Sequence, residues 1–228
     1  MKKTAIIVAG GSGVRMGQEL PKQFITLHGK PILLHALDAF LHAYDDIHIV
    51  LVLPKDYISL VASMIENHGY NANIMLVEGG DTRFHSVRNG MKYVVEESLV
   101  FVHDAVRCLV TPELIRRCGI DAQKHGTAIP VVPVRDSIRK KTADGIGSQV
   151  IPRDNLFIVQ TPQTFLSQHI LPAFDLPYSN AFTDEATVVE TFGIPVHLVD
   201  GDEKNIKITF PEDLAFAEWR LGVLINRG

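Results

Sequence analysis

The sequence predicts an α/β fold, a mainly parallel sheet flanked by helices, and three features carry that prediction. Thr4-Ala5-Ile6-Ile7-Val8-Ala9 and Ile47–Leu53 (IHIVLVL) are short, continuous apolar runs rich in β-branched residues, the pattern of strands buried on both faces. Between them, Ile32–Ala43 carries apolar residues at helical spacing. The alternation then repeats through Tyr57–Asn67, a helix ended near Gly69, and Ile74–Glu78, a third strand. Strand–helix–strand units of this kind imply right-handed crossovers and a ligand site beyond the strands' C-terminal ends.

Each later segment extends the pattern. Pro31 suits the first position of the first helix. Gly79-Gly80 follows the third strand, and Phe84 opens a helix reaching about Glu97. Leu99–His103 is a further strand. Thr111 and Pro112, as N-cap and first residue, begin a helix to about His125. Ala128–Val134 reads as a strand whose prolines predict an edge or irregular position. Residues 135–155 (RDSIRKKTADGIGSQVIPRDN) are polar and charged, with two β-like pieces around Asp144-Gly145, and read as a hairpin arm projecting from the sheet. The chain returns to the sheet over Leu156–Gln160. Thr183 caps a helix with Asp184 and Glu185 in its first turn. Val196–Val199 and Ile206–Phe210 supply late strands, and Pro211–Ile225 a final amphipathic helix.

Composition narrows the ligand. The chain of 228 residues is read as a single domain, 1–228, with 46% apolar and 21% charged residues and no run approaching a transmembrane span. A net charge of −4 offers no general field for nucleic acid or an acidic membrane, so an anionic ligand must be held by a local cluster of cations and is small. Met-Lys-Lys leads directly into the first strand, so no targeting segment and a cytoplasmic location are expected. Cys108 and Cys118 form neither a CxxC pair nor a zinc pattern and are expected to be packing thiols.

The segment after the first strand holds the chemistry. Gly10, Gly11, Gly13 and Gly17 surround Arg15, and Pro21-Lys22-Gln23 follows. Glycines at this density let several backbone N–H groups approach one anion. It is not a P-loop, because Gly29-Lys30 is followed by Pro31 and Phe24 stands where the first glycine belongs. Nor is it a dinucleotide fingerprint, because Met16 replaces the third glycine and Pro21 would disrupt the helix. Two cations, Arg15 and Lys22, flank the loop and suit a triphosphate whose charge must be neutralised as a bond breaks.

The pattern GxGxRMGxxxPKQF resembles the opening signature of the sugar-phosphate nucleotidyltransferases, and more narrowly the cytidylyltransferases acting on methylerythritol phosphate or ribitol phosphate. The resemblance runs in order from the glycine loop to NIKIT-x-PEDL and implies a Rossmann-like nucleotidyltransferase fold. It implies CTP as donor, cradled by Ala9, Gly10, Gly11 and Gly13, with Arg15 and Lys22 as catalytic cations. GGxxRxxSV is similar to the cytosine-recognition segment and carries over Gly80, Asp81 and Ser86. A turn plus N-cap accounts for the same residues equally well. HDAxR matches the segment with the metal-associated aspartate, so Asp104 is the implied Mg²⁺ ligand and Arg107 a ligand contact. Taken alone, Asp104 also reads as a turn residue and His103 as a structural histidine.

QTPQxF adds Thr161, and TDEA adds Thr183, for which capping remains the simpler account. Lys207 leaves its segment on the face opposite Ile206 and Ile208, which suits a solvated edge lysine. In the resembled family this lysine holds the sugar phosphate. There the 135–155 arm makes a homodimer and completes the partner's site, here through Ser137 and Arg153. Ser137 stands where threonine is usual, and Cys108 where proline is common.

Nucleotidyl transfer needs alignment and charge neutralisation but no general base, because the attacking phosphate monoester is already ionised near neutral pH. Arg153 and Lys207 would hold it in line. RxxSV and TDEA favour the methylerythritol branch, hence 4-diphosphocytidyl-methylerythritol synthesis in non-mevalonate isoprenoid production. A ribitol-phosphate enzyme and a non-catalytic nucleotide-binding module are the alternatives. An NAD-dependent oxidoreductase is disfavoured by Met16 and by Pro54-Lys55 after the second strand, although Asp56 lies close by.

Overall fold

The computed structural model describes residues 1–10, 21–70 and 73–225. Its centre is an eight-stranded sheet in the order β10 (Phe157–Val159), β7 (Thr127–Pro133), β11 (Gln163–Leu166), β6 (Ser98–Asp104), β1 (Lys2–Val8), β4 (Ile47–Leu53), β5 (Ile74–Glu78), with β12 (Leu198–Asp200) also paired to β7. The parallel part comprises β1 (Lys2–Val8), β4 (Ile47–Leu53), β5 (Ile74–Glu78) and β6 (Ser98–Asp104). Alternating side chains feed two cores: Ala5 and Ile7 of β1 join one, and Ile6 the other. On the first face pack α1 (Ile32–Ala43), α2 (Ile58–Asn67) and α4 (Pro112–His125) through Leu37, Phe40, Val61, Leu114 and Ile115. The opposite face is covered by α3 (Arg83–Met91), α5 (Ser167–Ala173) and α6 (Glu185–Thr191), through Phe84, Val87, Ile170 and Val189. A third cluster seats α7 (Pro211–Ile225) through Ala217 and Leu221 beside a small hairpin of β2 (Thr26–Leu27) and β3 (Lys30–Pro31).

Several expectations are corrected. Pro31 lies one residue ahead of α1 in extended backbone, as its N-cap residue rather than its first turn. The helix after Gly79-Gly80 stops at Met91, short of Glu97. β7 (Thr127–Pro133) is an interior strand despite its prolines. It pairs with β11 (Gln163–Leu166) over its first residues and with β10 (Phe157–Val159) over its last, while β12 (Leu198–Asp200) lies on its other side. Pro130 falls where the neighbour changes from β11 to β10; it has no N–H to give the ladder there, but its carbonyl still accepts from Gln160 N at 2.8 Å. Ile206–Phe210 is not a strand, although Ile208 N still donates to Val106 O at 3.0 Å.

The 135–155 segment is a separate two-stranded sheet of β8 (Ile138–Lys141) and β9 (Ser148–Ile151), with Gly145 at φ +72 in its turn. Cys108 and Cys118 are buried free thiols whose pKa values burial pushes up to about 12. Among the described residues, no helix is long and apolar enough to cross a membrane.

Gly126 closes α4 at φ +88, and a Cβ there would lie 2.3 Å from His169 Cε1. Gly126→Ala therefore adds left-handed strain to a ring clash and is expected to cost about 1–3 kcal/mol, measured by urea denaturation.

Candidate active site

The register of the sheet brings four strand ends to one edge. Val8, the last residue of β1, pairs with Asp104, the last of β6, and Ala105 N donates to Val8 O at 3.0 Å. Ala9 N donates to Val52 O and Gly79 N to Leu53 O, both at 2.8 Å, which extends the same edge across β4 to β5. Beyond this edge opens a cleft of about 270 Å³. Ala9 and Gly10 border it from the end of β1, Lys22 from a short 3-10 helix, Gly80, Asp81 and Ser86 from the β5–α3 turn, Asp104 from β6, and Lys207 from the irregular segment before α7. Gly11, Gly13 and Arg15 lie outside the described residues.

Two glycine turns meet across Ser86. Gly80 N donates to Ser86 Oγ at 3.0 Å, and Ser86 Oγ lies 3.3 Å from Gly80 O. A Cβ on Gly80 would stand 2.5 Å from His85 Cβ, so this turn needs a residue without one. Ser86 is thus committed to bracing the turn, while Asp81 beside it is exposed to the cleft. Thr82 is the α3 N-cap, accepting from His85 N.

Asp104 is the electrostatic centre, although only 7% of its surface is exposed. Lys207 Nζ lies 2.9 Å from its Oδ2, Arg83 Nε 3.1 Å from Oδ1, and Arg107 Nε 3.8 Å from Oδ2. Burial opposes its ionisation, but Arg83, Lys207 and Arg107 outweigh burial and hold the carboxyl well below the usual range. Arg83 also clamps Glu185 bidentately, with Nη1 on Oε1 and Nη2 on Oε2 at 3.0 Å. Burial works against the Arg83 charge, and Glu185 and Asp104 more than restore it, raising its pKa. Arg83 and Glu185 were not among the sequence candidates. Arg83 did lie inside RxxSV and Glu185, 102 positions away, inside TDEA, but neither was given a role in the site, and helix capping was the local account of Glu185.

Arg107 and Thr161 stand behind Asp104 rather than on the cleft wall. Arg107 donates to Asn205 O at 2.9 Å. Asp104 N donates to Thr161 Oγ1 at 3.1 Å, and Thr161 Oγ1 lies 2.9 Å from His103 Nδ1. That chain suits a neutral His103, with Nε2–H facing Arg107 O at 3.3 Å and Nδ1 accepting from the hydroxyl. Burial pushes its pKa down to about 3. Thr183 is exposed beside a separate recess near Phe182 and Val188, and the α6 cap is Asp184, whose carboxylate accepts from Thr187 N. Ser137 and Arg153 are exposed on the arm and do not border the cleft of their own chain. Arg153 Nη1 donates to Arg135 O.

A parallel sheet whose C-terminal edge carries glycine turns, two lysines and a charge-saturated aspartate defines an α/β nucleotide-handling protein. The comparisons narrow the class. The family model for IspD, 2-C-methyl-D-erythritol 4-phosphate cytidylyltransferase, matches residues 3–222. A protein of that name from Bacteroides thetaiotaomicron is 46% identical over 215 residues, covering 94% of this chain and 97% of its own. One from Bacteroides fragilis is 44% identical over 218 residues, covering 95% and 98%. Among solved structures, 4-diphosphocytidyl-2C-methyl-D-erythritol synthase from Anaerococcus prevotii superposes with a TM-score of 0.83 at 30% identity, covering 97% of this chain and 98% of that one. The chain belongs to the 2-C-methyl-D-erythritol 4-phosphate cytidylyltransferase family and is a nucleotidyltransferase.

His103 makes the site sensitive to acid. Because its folded pKa, about 3, lies below the ordinary 6.5, the unfolded chain binds the extra proton between those values. Its stabilising contribution is complete above pH 6.5 and is lost as pH falls towards 3, on the order of 3 kcal/mol by pH 4. Urea titrations without metal or nucleotide should show that slope in the native protein and a flatter one in His103→Gln.

Proposed function

We propose that the protein transfers CMP from CTP to 2-C-methyl-D-erythritol 4-phosphate, giving 4-diphosphocytidyl-2-C-methyl-D-erythritol and pyrophosphate. The observation carrying this reading is the convergence of Lys22, Lys207, Asp104 and two glycine turns on one cleft in a chain of this family. An oxygen of the acceptor's phosphate attacks the α-phosphorus of CTP, and the bond from that phosphorus to the oxygen bridging to the β-phosphate breaks. That bridging oxygen leaves with pyrophosphate, and no proton has to be removed from the nucleophile. Lys22, with Arg15, neutralises the triphosphate, while Lys207 and a partner's Arg153 hold the incoming phosphate in line. The turns at Gly10 and Gly80 let backbone groups approach the nucleotide, with Asp81 beside its base or ribose.

The donor set fits Mg²⁺. Asp104 is a hard oxygen donor facing the cleft, and because Arg83 holds its Oδ1 and Lys207 its Oδ2, an ion would compete with Lys207 for Oδ2 and release that lysine to the incoming phosphate. Magnesium typically takes one or two carboxylates and completes its shell with waters and substrate phosphates. Asp104 would hold the ion, and what it supplies when bound is charge neutralisation on the phosphate oxygens.

A homodimer through the arm completes the reading. Exposed Val150 on β9 and exposed Phe157, Ile158 and Val159 on β10 form apolar surface next to Ser137 and Arg153, the kind a partner would cover. A single chain leaves both arm residues away from its own cleft.

Pyrophosphate release from CTP should require Mg²⁺ and methylerythritol 4-phosphate. A preference for ribitol 5-phosphate assayed in parallel would overturn the acceptor, and no release with either would overturn the transferase reading. Lys207→Ala and Arg153→Ala should each lose most activity, on the order of 100-fold. Mixed after unfolding and refolding together, they should recover about a quarter of wild-type activity, because half the random dimers carry one intact shared site. No recovery would place Arg153 outside the partner's site.

A further inference from the structure

At the other end of the sheet, Asp121, His125 and His197 gather into a cluster that the cleft chemistry does not use. Their ligating atoms, one carboxylate oxygen and two imidazole nitrogens, all lie within 4.8 Å of one another. The His125 and His197 rings stack with centroids 3.8 Å apart and planes inclined by 20°. We propose that these three side chains form a binding site for a divalent transition-metal ion of the zinc, cobalt or nickel type.

Three lines support the assignment. The first is donor chemistry: two imidazoles and one carboxylate are the mixed nitrogen and oxygen set that suits such ions, whereas magnesium and calcium prefer oxygen alone. The second is the scaffold. Asp121 and His125 are four residues apart on α4, hence on one face of the helix. His197 is anchored independently, because its N donates to Thr127 Oγ1 at 2.8 Å and its carbonyl accepts from Ile129 N at 2.8 Å. Two elements that β7 already fixes against each other therefore present the ligands. Zinc holds nitrogen and oxygen donors at about 2.0–2.2 Å, which places them roughly 3–4 Å from one another, so closing the cluster takes movements of roughly 1–2 Å and a turn of one stacked ring so that both nitrogens face the ion. His125, exposed at the end of its helix, can make that adjustment.

The third line is the field. The cluster sits at the C-terminal end of α4, where the helix's last carbonyls present partial negative charge to a cation. None of the three side chains makes a hydrogen bond or ion pair with another described residue that binding would have to break. Two protein nitrogens and one oxygen leave the remaining coordination positions to water at this partly exposed surface.

The consequence is a staple rather than a second reaction centre. β7 and β12 both begin at this edge and run parallel towards the other. The cluster is therefore separated from the cleft by the length of a strand, roughly 20 Å. An ion held by α4 and by the residue preceding β12 would tie the helix to the strand. It would stabilise the folded chain according to its concentration and affinity, because the unfolded chain does not hold the three ligands together.

The test is calorimetric titration of the purified full-length protein with zinc chloride and, separately, cobalt chloride, with thermal unfolding and the visible spectrum of the cobalt form followed in parallel. One ion per chain should bind with a dissociation constant below about 100 μM and raise the unfolding midpoint, while magnesium chloride at the same concentration does neither. His125→Ala and His197→Ala should each weaken binding at least tenfold and abolish the cobalt absorption, without shifting the midpoint of the metal-free protein by more than a degree or two. His68→Ala, a surface histidine elsewhere, should bind as the native chain does. Zinc binding that survives both His125→Ala and His197→Ala, or no saturable binding in the native protein, overturns the assignment.

Discussion

A nearly buried carboxylate at the end of the central strand is the constraint on which the cleft depends. Asp104 closes β6, and leaving it charged inside the protein would cost several kcal/mol unless cations surround it. Arg83, Arg107 and Lys207 do so, brought from α3, from the loop after β6 and from the segment before α7. Arg83 in turn meets Glu185 from α6, so two acids and three cations form one connected group. Removing Arg83 would leave Glu185 without its cation and Asp104 with two in place of three, which makes it a structural member of the site as well as an electrostatic one. The group keeps a net positive charge at the mouth of a cleft in a chain whose overall charge is −4, so anion attraction here is local rather than global.

Much of this fold was legible because its strands announce themselves. β4 and β5 coincide with IHIVLVL and IMLVE, and α4 runs from the proline after its threonine cap to the residue before a glycine, as capping chemistry requires. What escaped reading depended on partners distant in sequence. Prolines argued for an edge at β7, yet a strand that changes neighbour midway can hold one inside a sheet. α5 escaped because it is short and contains Pro172. Lys-Ile-Thr after Ile206 alternates like a strand, but its apolar side chains are drawn inward by α7 and the β6 loop without any ladder.

The candidate site divides along the same line. Residues in local motifs, Gly10, Lys22, Gly80, Asp81, Asp104 and Lys207, share one cleft, because each stands in a turn at a strand end or on a segment folded over that edge. Thr161 entered only through the resemblance of QTPQxF, which assigns its hydroxyl no role, and that hydroxyl serves the backbone of Asp104 and the ring of His103. Glu185 was read from its immediate neighbours as a helix-dipole partner, an account correct in kind but blind to Arg83. Capping can be seen within four residues; ion pairing across 102 positions cannot.

Lysine is a poor positioning group on its own, since a flexible four-carbon stem must lose its freedom before the charge is useful. Here the backbone supplies the order. Lys22 Nζ donates to Ile208 O at 2.6 Å, Ile208 N donates to Val106 O, and Lys207, the residue between, reaches Asp104. Three segments carrying Lys22, Lys207 and Asp104 therefore brace one another, and neither lysine can shift without disturbing the other's anchor. For a reaction that needs no proton removed and little covalent help from the protein, charges held in place before the substrates arrive are the main catalytic resource. The Ile206–Thr209 segment can place a cation at Asp104 because it is not a strand. Free of ladder bonds on both sides, it bends over the strand ends and carries Lys207 to the carboxylate that a ninth strand would leave out of reach.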